Sequence, residues 1–511
     1  MQEQPKNSDS ALHSEHEQHS EESLCVHFDN SYVRDLEGFY QHQNAENAPS
    51  PKLIKFNHSL AQSLKIEINS ASDEELAHIF SGQTSLPGAN PIAQAYAGHQ
   101  FGHYNPQLGD GRALLLGEVI DVTGQRKDIQ LKGSGRTPYS RSGDGKAAIG
   151  PVIREYLVAE AMHALHIPTT RALAAVTTGE QIWRDHMVDG ATLTRVAASH
   201  IRVGTFQFFA AQGDPNDVKR LADYTIERHY PEVNNSDSRY LELLKSVCTR
   251  QALLVSKWQL VGFIHGVMNT DNTTVSGETI DYGPCAFMDH YDPNTLFSSI
   301  DANGRYAYSN QPQIAQWNLA RFAETLLPLL AENEEEAVEI ATNTLHEFMN
   351  LYNQLWLDGM RSKLGLTNQE DGDLKFVQDT LTMLHQQHID FTLFFRSLSS
   401  ALLSNDSSAL ALFADAERWE EWKTKWLARM EREAITEGES VTLMNAHNPV
   451  YIPRNHKVEE ALSAAEQHND FQPFERLLSV LMNPFEVQPN CEEFELPAPS
   501  SFGPYRTFCG T

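Results

Sequence analysis

The sequence predicts an α+β protein in two lobes, a sheet-rich first lobe followed by a helical second lobe. Three observations predict it. Short aliphatic and β-branched runs separated by turn signals occupy 113–197. Helical periodicity dominates from 218 to 468. Between the first strands and the first long helix lies a Gly-rich, basic stretch, 133–150.

Taken in order, 113–120 (ALLLGEVI) and 128–132 (DIQLK) read as strands, and 121–127, with Thr-Gly-Gln inside it, reads as their hairpin connection. Pro151 sits where a first helical position tolerates proline. Apolar residues at Ile153, Leu157, Ala161, Ala164 and Leu165 then predict a helix over 153–165, ended by Pro168. A second strand pair is expected at 172–177 and 190–197. Helices are expected at 218–227, 240–264, 314–327 (stopped by Pro328), 334–364, 375–384, 392–403, 417–433 and 457–468. Five prolines from Pro484 to Pro504 predict an irregular tail. There are no internal repeats.

Bulk properties narrow the function classes. The chain has 511 residues, 41% hydrophobic and 21% charged, enough for a large buried core. Its net charge of −29 argues against a phosphate-backbone footprint, so no nucleic-acid partner is expected. Apolar runs fall short of the ~20 residues a spanning helix needs. The best of them, 252–268, is broken by Lys257, Gln259 and His265. No membrane association is therefore expected, and the acidic N-terminus predicts a cytoplasmic protein. Five cysteines without CxxC spacing argue against a disulfide scaffold or zinc knuckle. Residues 1–27 read as a disordered acidic tail. Its His13, His16 and His19 are either weak metal ligands or, as we read them, a solvated run.

Several constellations carry chemistry. Gly109-Asp110-Gly111-Arg112 precedes a strand; glycine backbone N–H groups and an arginine can grip phosphate oxygens, although GDG is also a common tight turn. Lys132 ends a strand, and a strand lysine in a cleft needs a carboxylate to fix it. Glu155 is the first candidate and Glu160 the competitor on the same helix. Arg136, Arg141 and Lys146 surround Asp144-Gly145, and Arg195 and Arg202 flank 193–204. In so acidic a chain these suggest an anion site, against a reading as solvated loop charges. His99 and His103 have metal-ligand spacing but lack the glutamate of H-E-x-x-H, and Gly102 weakens a helix there.

The most specific pattern is His265-Gly-Val-Met-Asn-Thr-Asp271-Asn272, followed by Asp281-Tyr282-Gly283. Protein kinases use H-R-D-x-x-x-x-N followed by D-F-G. The offset from His265 to Asn272 is the same, which predicts a protein-kinase-like bilobal fold. Asn272 and Asp281 would be oxygen ligands for Mg²⁺, presented by a short hairpin over 273–280. The departure is Val267, where a kinase has its catalytic aspartate. Valine cannot accept a proton, so an orthodox phosphotransferase lacks its base. Asp271 is the nearest replacement, or else a turn aspartate.

Together, the stretches 96–113 (YAGHQFGHYNPQLGDGRA), 130–173, 194–206, 265–289 and 448–462 resemble the selenoprotein O family, whose bacterial branch is called YdiU. The likeness runs from about residue 30 to the C-terminus. It implies a pseudokinase that binds ATP in a flipped orientation and transfers AMP to Ser, Thr or Tyr hydroxyls of proteins, releasing pyrophosphate. By position, it implies that Gly109, Gly111, Arg112, Lys132, Asp144, Gly145, Arg195, Arg202 and Asp281 line the nucleotide site. Glu155 would pair with Lys132, Asn272 and Asp281 would hold Mg²⁺ (or Mn²⁺), and Asp271 would be the proton acceptor. It also implies redox control through a C-terminal cysteine, here a disulfide between Cys285 and Cys509, against two ordinary thiols. The short ending after Cys509 departs from the family pattern. The expected organisation is an N-terminal extension over 28–90, a kinase-like N-lobe over 91–205, a helical C-lobe over 206–450 and a C-terminal segment over 451–511, and a monomer is expected. A conventional kinase, or an inactive nucleotide-binding scaffold, is the alternative.

Overall fold

An eight-stranded antiparallel sheet builds the first lobe of the computed structural model, which describes residues 23–403 and 407–508. The strands are β1 (Leu24–Cys25), β2 (Tyr40–His42), β3 (Lys52–Phe56), β4 (Glu67–Ile68), β5 (Ile92–Gln94), β6 (Gly98–Gln100), β7 (His103–Asn105), β8 (Ala113–Ile120), β9 (Arg126–Lys132), β10 (Ala147–Ala148), β11 (Arg171–Trp183), β12 (Met187–Ala197), β13 (Phe263–Ile264) and β14 (Ala286–Phe287). The order in the sheet is β2-β5-β8-β9-β12-β11-β3, with β10 added against β12. Segment 28–90, read as an extension, thus supplies both edges of the lobe through β2 and β3. Pairs β1–β4, β6–β7 and β13–β14 form small separate ladders.

The helices are α1 (Ser31–Asp35), α2 (His58–Ser63), α3 (Asp73–Phe80), α4 (Ile149–Ala164), α5 (Val203–Gln212), α6 (Pro215–His229), α7 (Arg239–Leu260), α8 (Gln311–Leu330), α9 (Glu334–Lys363), α10 (Asp373–Gln386), α11 (Phe391–Leu403), α12 (Ala416–Met430), α13 (Glu437–His447), α14 (Asn455–His468) and α15 (Gln472–Leu481). Helices α2 and α3 cover one face of the sheet, burying Leu60, Leu76 and Phe80 against Leu131, Leu173 and Val176. On the other face α4 is sandwiched between the sheet and α14–α15, with Ile153, Tyr156 and Leu157 against Leu462, Phe474 and Leu478. Apolar residues therefore run around most of α4 rather than along one stripe. Gly150 lets Glu466 approach closely here: a Cβ would stand 1.8 Å from Glu466 Oε1. The second lobe packs around α7, α8 and α9 through Leu244, Val255, Leu319, Phe322 and Phe348.

Several expectations need correcting. Helix α4 starts at Ile149, so Pro151 is its third residue; it still falls among the first four positions, whose N–H groups have no intrahelical acceptor. Pro328 does not stop α8, which runs to Leu330; proline there removes a single late N–H. The helix expected over 240–264 ends at Leu260, and Gly262, with φ of 72°, turns the chain into β13. Residues 273–280 form no hairpin of strands. Instead they make a tight loop in which Thr274 Oγ1 donates to the Glu278 carbonyl and Gly277 N–H donates to that of Thr274. The predicted tail 1–27 is too long: Leu24 and Cys25 pair with Ile68 and Glu67. His13, His16 and His19 lie outside the described residues.

Candidate active site

Strand β9 ends at Lys132, and its side chain enters the cleft between the lobes. Its Nζ donates to Glu155 Oε2 of α4 at 2.5 Å and to Asp281 Oδ1 at 2.9 Å. Glu155 is thus the partner. Glu160 instead takes Arg171 (2.8 and 2.7 Å) and Asn57 (2.9 Å) on the far side of α4. Five residues advance a helix by well over one turn, so the two glutamates leave the axis in different directions.

Two arginines complete the cluster. Arg195 on β12 donates to Asp281 Oδ1 (2.7 Å) and Glu155 Oε1 (3.2 Å), and Gln130 Oε1 accepts from its other nitrogens. Arg202, just before α5, donates to Asp281 Oδ2 (3.0 Å) and to the Asp271 carbonyl (2.7 Å), and it lies over the Tyr96 ring. Burial alone would raise the Asp281 pKa. Lys132, Arg195 and Arg202 override it and hold the carboxylate well below its ordinary range. Asp281 has φ of 62°, an uncommon conformation for a non-glycine residue, which the three cations hold in place.

Asn272 lines the same cavity as Asp281, Lys132, Arg195 and Arg202. Its Nδ2 donates to the Val267 carbonyl (3.0 Å), so Oδ1 is the atom to offer a cation. A carboxylate presents about four lone pairs, and three cationic N–H donors use three on Asp281. One remains, and the donors are all oxygen, which fits Mg²⁺ or Mn²⁺.

Asp271 sits beside Asn272, 8% exposed. Gln100 Nε2 donates to its Oδ2 (3.2 Å), whereas its buried Oδ1 has no protein partner. Burial pushes its pKa up to about 6 against the pull of Arg202 and Gln100. The β6–β7 hairpin clamps this loop: His99 N–H donates to Thr270 Oγ1 (2.7 Å), and Phe101 N–H donates to Asn269 Oδ1 (3.1 Å). Gly98 packs against this carboxylate: a Cβ there would lie 2.6 Å from Asp271 Oδ1. His99 is consequently a strand residue whose Nδ1 meets Gln207 Nε2 at 2.9 Å; with His103 it makes no helical metal pair. Val267 lines the cavity wall and offers no proton acceptor. His265 is structural, its ring bonded to the Ile280 carbonyl.

The cavity at this cleft is about 310 Å³, and a second of about 250 Å³ adjoins it, sharing Tyr96, Gln100, Gly111, Arg112 and Asp271. Gly109, Arg141, Asp144 and Gly145 line the second. Tyr139 crowds the GDG turn so closely that a Cβ on Gly109 would fall 2.2 Å from its ring. Asp144 accepts two bonds from Arg184, and Lys146 is neutralised by Glu180 (2.6 Å). Arg136 is exposed and lines neither cavity. Four residues lining these cavities escaped sequence reasoning: Tyr96, Gln100, Asp110 and Arg184. Asp110 is buried, accepts from the Gln94 N–H (3.1 Å), and has its pKa raised to about 6 by burial. A polar residue inside a glycine turn was the available signal for it; Arg184, at the tip of the β11–β12 hairpin, carried none.

Cys285 is buried next to this cleft, and burial pushes its thiol up to about 12. Cys509 lies outside the described residues. Thr507 docks on the same loop, its Oγ1 donating to the Pro284 carbonyl (2.7 Å).

A lysine–glutamate pair between sheet and helix, facing an Asn/Asp oxygen pair on the helical lobe, places this molecule in the protein-kinase-like class of nucleotide-using transferases. The chain belongs to the SelO family: the family model described as protein adenylyltransferase SelO matches residues 22–482. Curated relatives named protein nucleotidyltransferase YdiU agree. The Brevibacillus brevis protein is 55% identical over 489 residues, covering 95% of this chain and 97% of its own. The Cereibacter sphaeroides (strain KD131) protein is 56% identical over 490 residues, covering 96% and 100%. That of Agrobacterium fabrum is 53% identical over 484 residues, covering 95% and 99%. The chain is a nucleotidyltransferase. Among the described residues no helix is long and apolar enough to cross a membrane.

Proposed function

We propose that this enzyme transfers AMP from ATP to Ser, Thr or Tyr hydroxyls of cytoplasmic proteins. The observation that carries this reading is the Asp271 carboxylate, which lines a cleft where the usual kinase base is replaced by valine. The hydroxyl oxygen attacks the α-phosphorus, its proton passes to the Asp271 carboxylate, the bond to the β-phosphate oxygen breaks, and pyrophosphate leaves. Lys132, Arg195 and Arg202 bind and orient the terminal phosphates at the cationic floor of the cleft, which leaves the α-phosphate outermost. Gly109, Gly111, Arg112, Asp144 and Gly145 extend the nucleotide site into the second cavity. Asn272 and Asp281 would hold a divalent cation, Mg²⁺ or Mn²⁺, which would neutralise charge on the leaving group.

Incubation with ATP labelled on either the α- or the γ-phosphate tests this. Retention of the α-label alone on protein is expected; retention of the γ-label would identify a kinase, and retention of neither a nucleotide-binding scaffold.

A Cys285–Cys509 disulfide is the proposed redox control. The docking of Thr507 on Pro284 supports it, because the chain has only two further residues to Cys509. The two thiols give up two electrons and two protons to an oxidant such as an oxidised dithiol. Peptide maps with and without reductant check it; absence of a linked peptide under oxidising conditions refutes it.

A further inference from the structure

We propose a zinc site at Cys25, His27 and Glu67, on the side of the first lobe where β1 meets β4. Alternation along the extended chain creates it. Leu24 and Val26 turn into the core, so Cys25 and His27 share the outer face. Antiparallel pairing then sets Glu67 directly opposite Cys25. The flanking Ile66 is buried, which orients Glu67 to the same outer face.

The three ligand atoms lie within 4.8 Å of one another, and Cys25 Sγ stands 3.8 Å from His27 Nε2. Bond lengths of zinc to sulfur, nitrogen and oxygen imply tetrahedral edges of about 3.4–3.6 Å. The thiol–imidazole edge is therefore already close to that of a zinc complex. The outward side chains of His27 and Glu67 can close the remainder by rotamer adjustment. A carboxylate beside an imidazole would be an ordinary surface pair. The thiol opposite them adds the softer ligand that selects zinc over Mg²⁺ or Ca²⁺. Three protein ligands leave a fourth position for water. On binding, the Cys25 thiol proton goes to solvent.

The consequence is mechanical. The β1–β4 ladder has two residue pairs, Leu24 with Ile68 and Cys25 with Glu67. So short a ladder is weak alone. A metal bridging it would fasten the start of the described chain to the lobe that carries the nucleotide site.

Cobalt serves as the probe for zinc, added to the full chain under a non-chelating reductant. The expected result is a thiolate-to-cobalt charge-transfer band with four-coordinate visible bands, both displaced by zinc. Cys25→Ser abolishes the charge-transfer band, and His27→Asn and Glu67→Gln each weaken cobalt binding by more than about tenfold. Replacing His13, His16 and His19 together with Ala leaves the band in place. Zinc also raises the melting midpoint of the wild type but not of Cys25→Ser. A wild type without the band, a band persisting in Cys25→Ser, or its loss in the triple histidine variant would each overturn the assignment.

Discussion

Lys132 Nζ lies 2.9 Å from Asp281 Oδ1, a contact joining the last residue of a sheet strand to the loop that follows the catalytic segment. It holds the two lobes in register at the bottom of the cleft. Arg195 and Arg202 converge on the same carboxylate, so Asp281, together with Glu155, balances three buried cations.

Asp281→Asn should therefore destabilise the protein as well as silence it. Removing the one carboxylate shared by three cations leaves buried positive charge uncompensated, at a cost of about 3–5 kcal/mol. Urea unfolding of the metal-free protein reads this out. A change within 1 kcal/mol would mean that solvent screens the cluster.

Lys132→Ala should separate the two effects. Glu155 keeps Arg195 at 3.2 Å, and Asp281 keeps both arginines. Stability should drop by only about 1–3 kcal/mol. Loss of a phosphate-directed donor should reduce kcat by about 100-fold or more. Kinetics and unfolding on one preparation check both.

Gly98→Ala should act on Asp271 without touching ATP. The added methyl would stand 2.6 Å from Oδ1, and the loop is tied to the same hairpin through Thr270, so the carboxylate must shift. A displacement of that size should lower kcat about 100-fold while KM for ATP stays within about twofold.

Stability should fall with pH through His200. Burial, together with Arg195 and Arg202, pushes its pKa down to about 4 despite its bond to Asp128 (2.8 Å), which Arg228 also contacts. Its Nε2 is buried without a partner, so protonation there would bury an uncompensated N–H. An unfolded histidine titrates near 6.5. Between about pH 6.5 and 4 the unfolded chain therefore takes up a proton that the folded chain refuses, and up to about 3 kcal/mol of stability is lost. His229 is lowered too and contributes in the same window, so the test is a difference. Urea midpoints of His200→Asn should fall less steeply from pH 7 to 5 than those of the wild type.

Much of this site was legible in the sequence because its residues follow chain order. Lys132 at a strand end, Glu155 in the helix that follows and Asn272 nine residues before Asp281 need only local elements to be placed. What was not legible depends on long-range packing. Gln100 reaches Asp271 from a hairpin 171 residues upstream, and Asp110 becomes unusual only once buried beneath Arg202. The same holds for the fold: the apolar run of β8 and the alternation within β9 mark them as strands, but β2 and β3 are short edges stabilised by neighbours distant in sequence. Helices α5, α13 and α15 span ten, eleven and ten residues, at or below the shortest window of about 11 over which helical periodicity is read.

The most direct measurement is the intact mass of enzyme and target protein after incubation with ATP and Mg²⁺, for the wild type and Asp271→Asn side by side. The wild type should produce a gain of one adenylate per modified hydroxyl. Asp271→Asn should produce none, yet still be thermally stabilised by ATP, since Lys132, Arg195 and Arg202 remain. A gain of one phosphate, or equal adenylate yields from both proteins, would contradict the role assigned to Asp271.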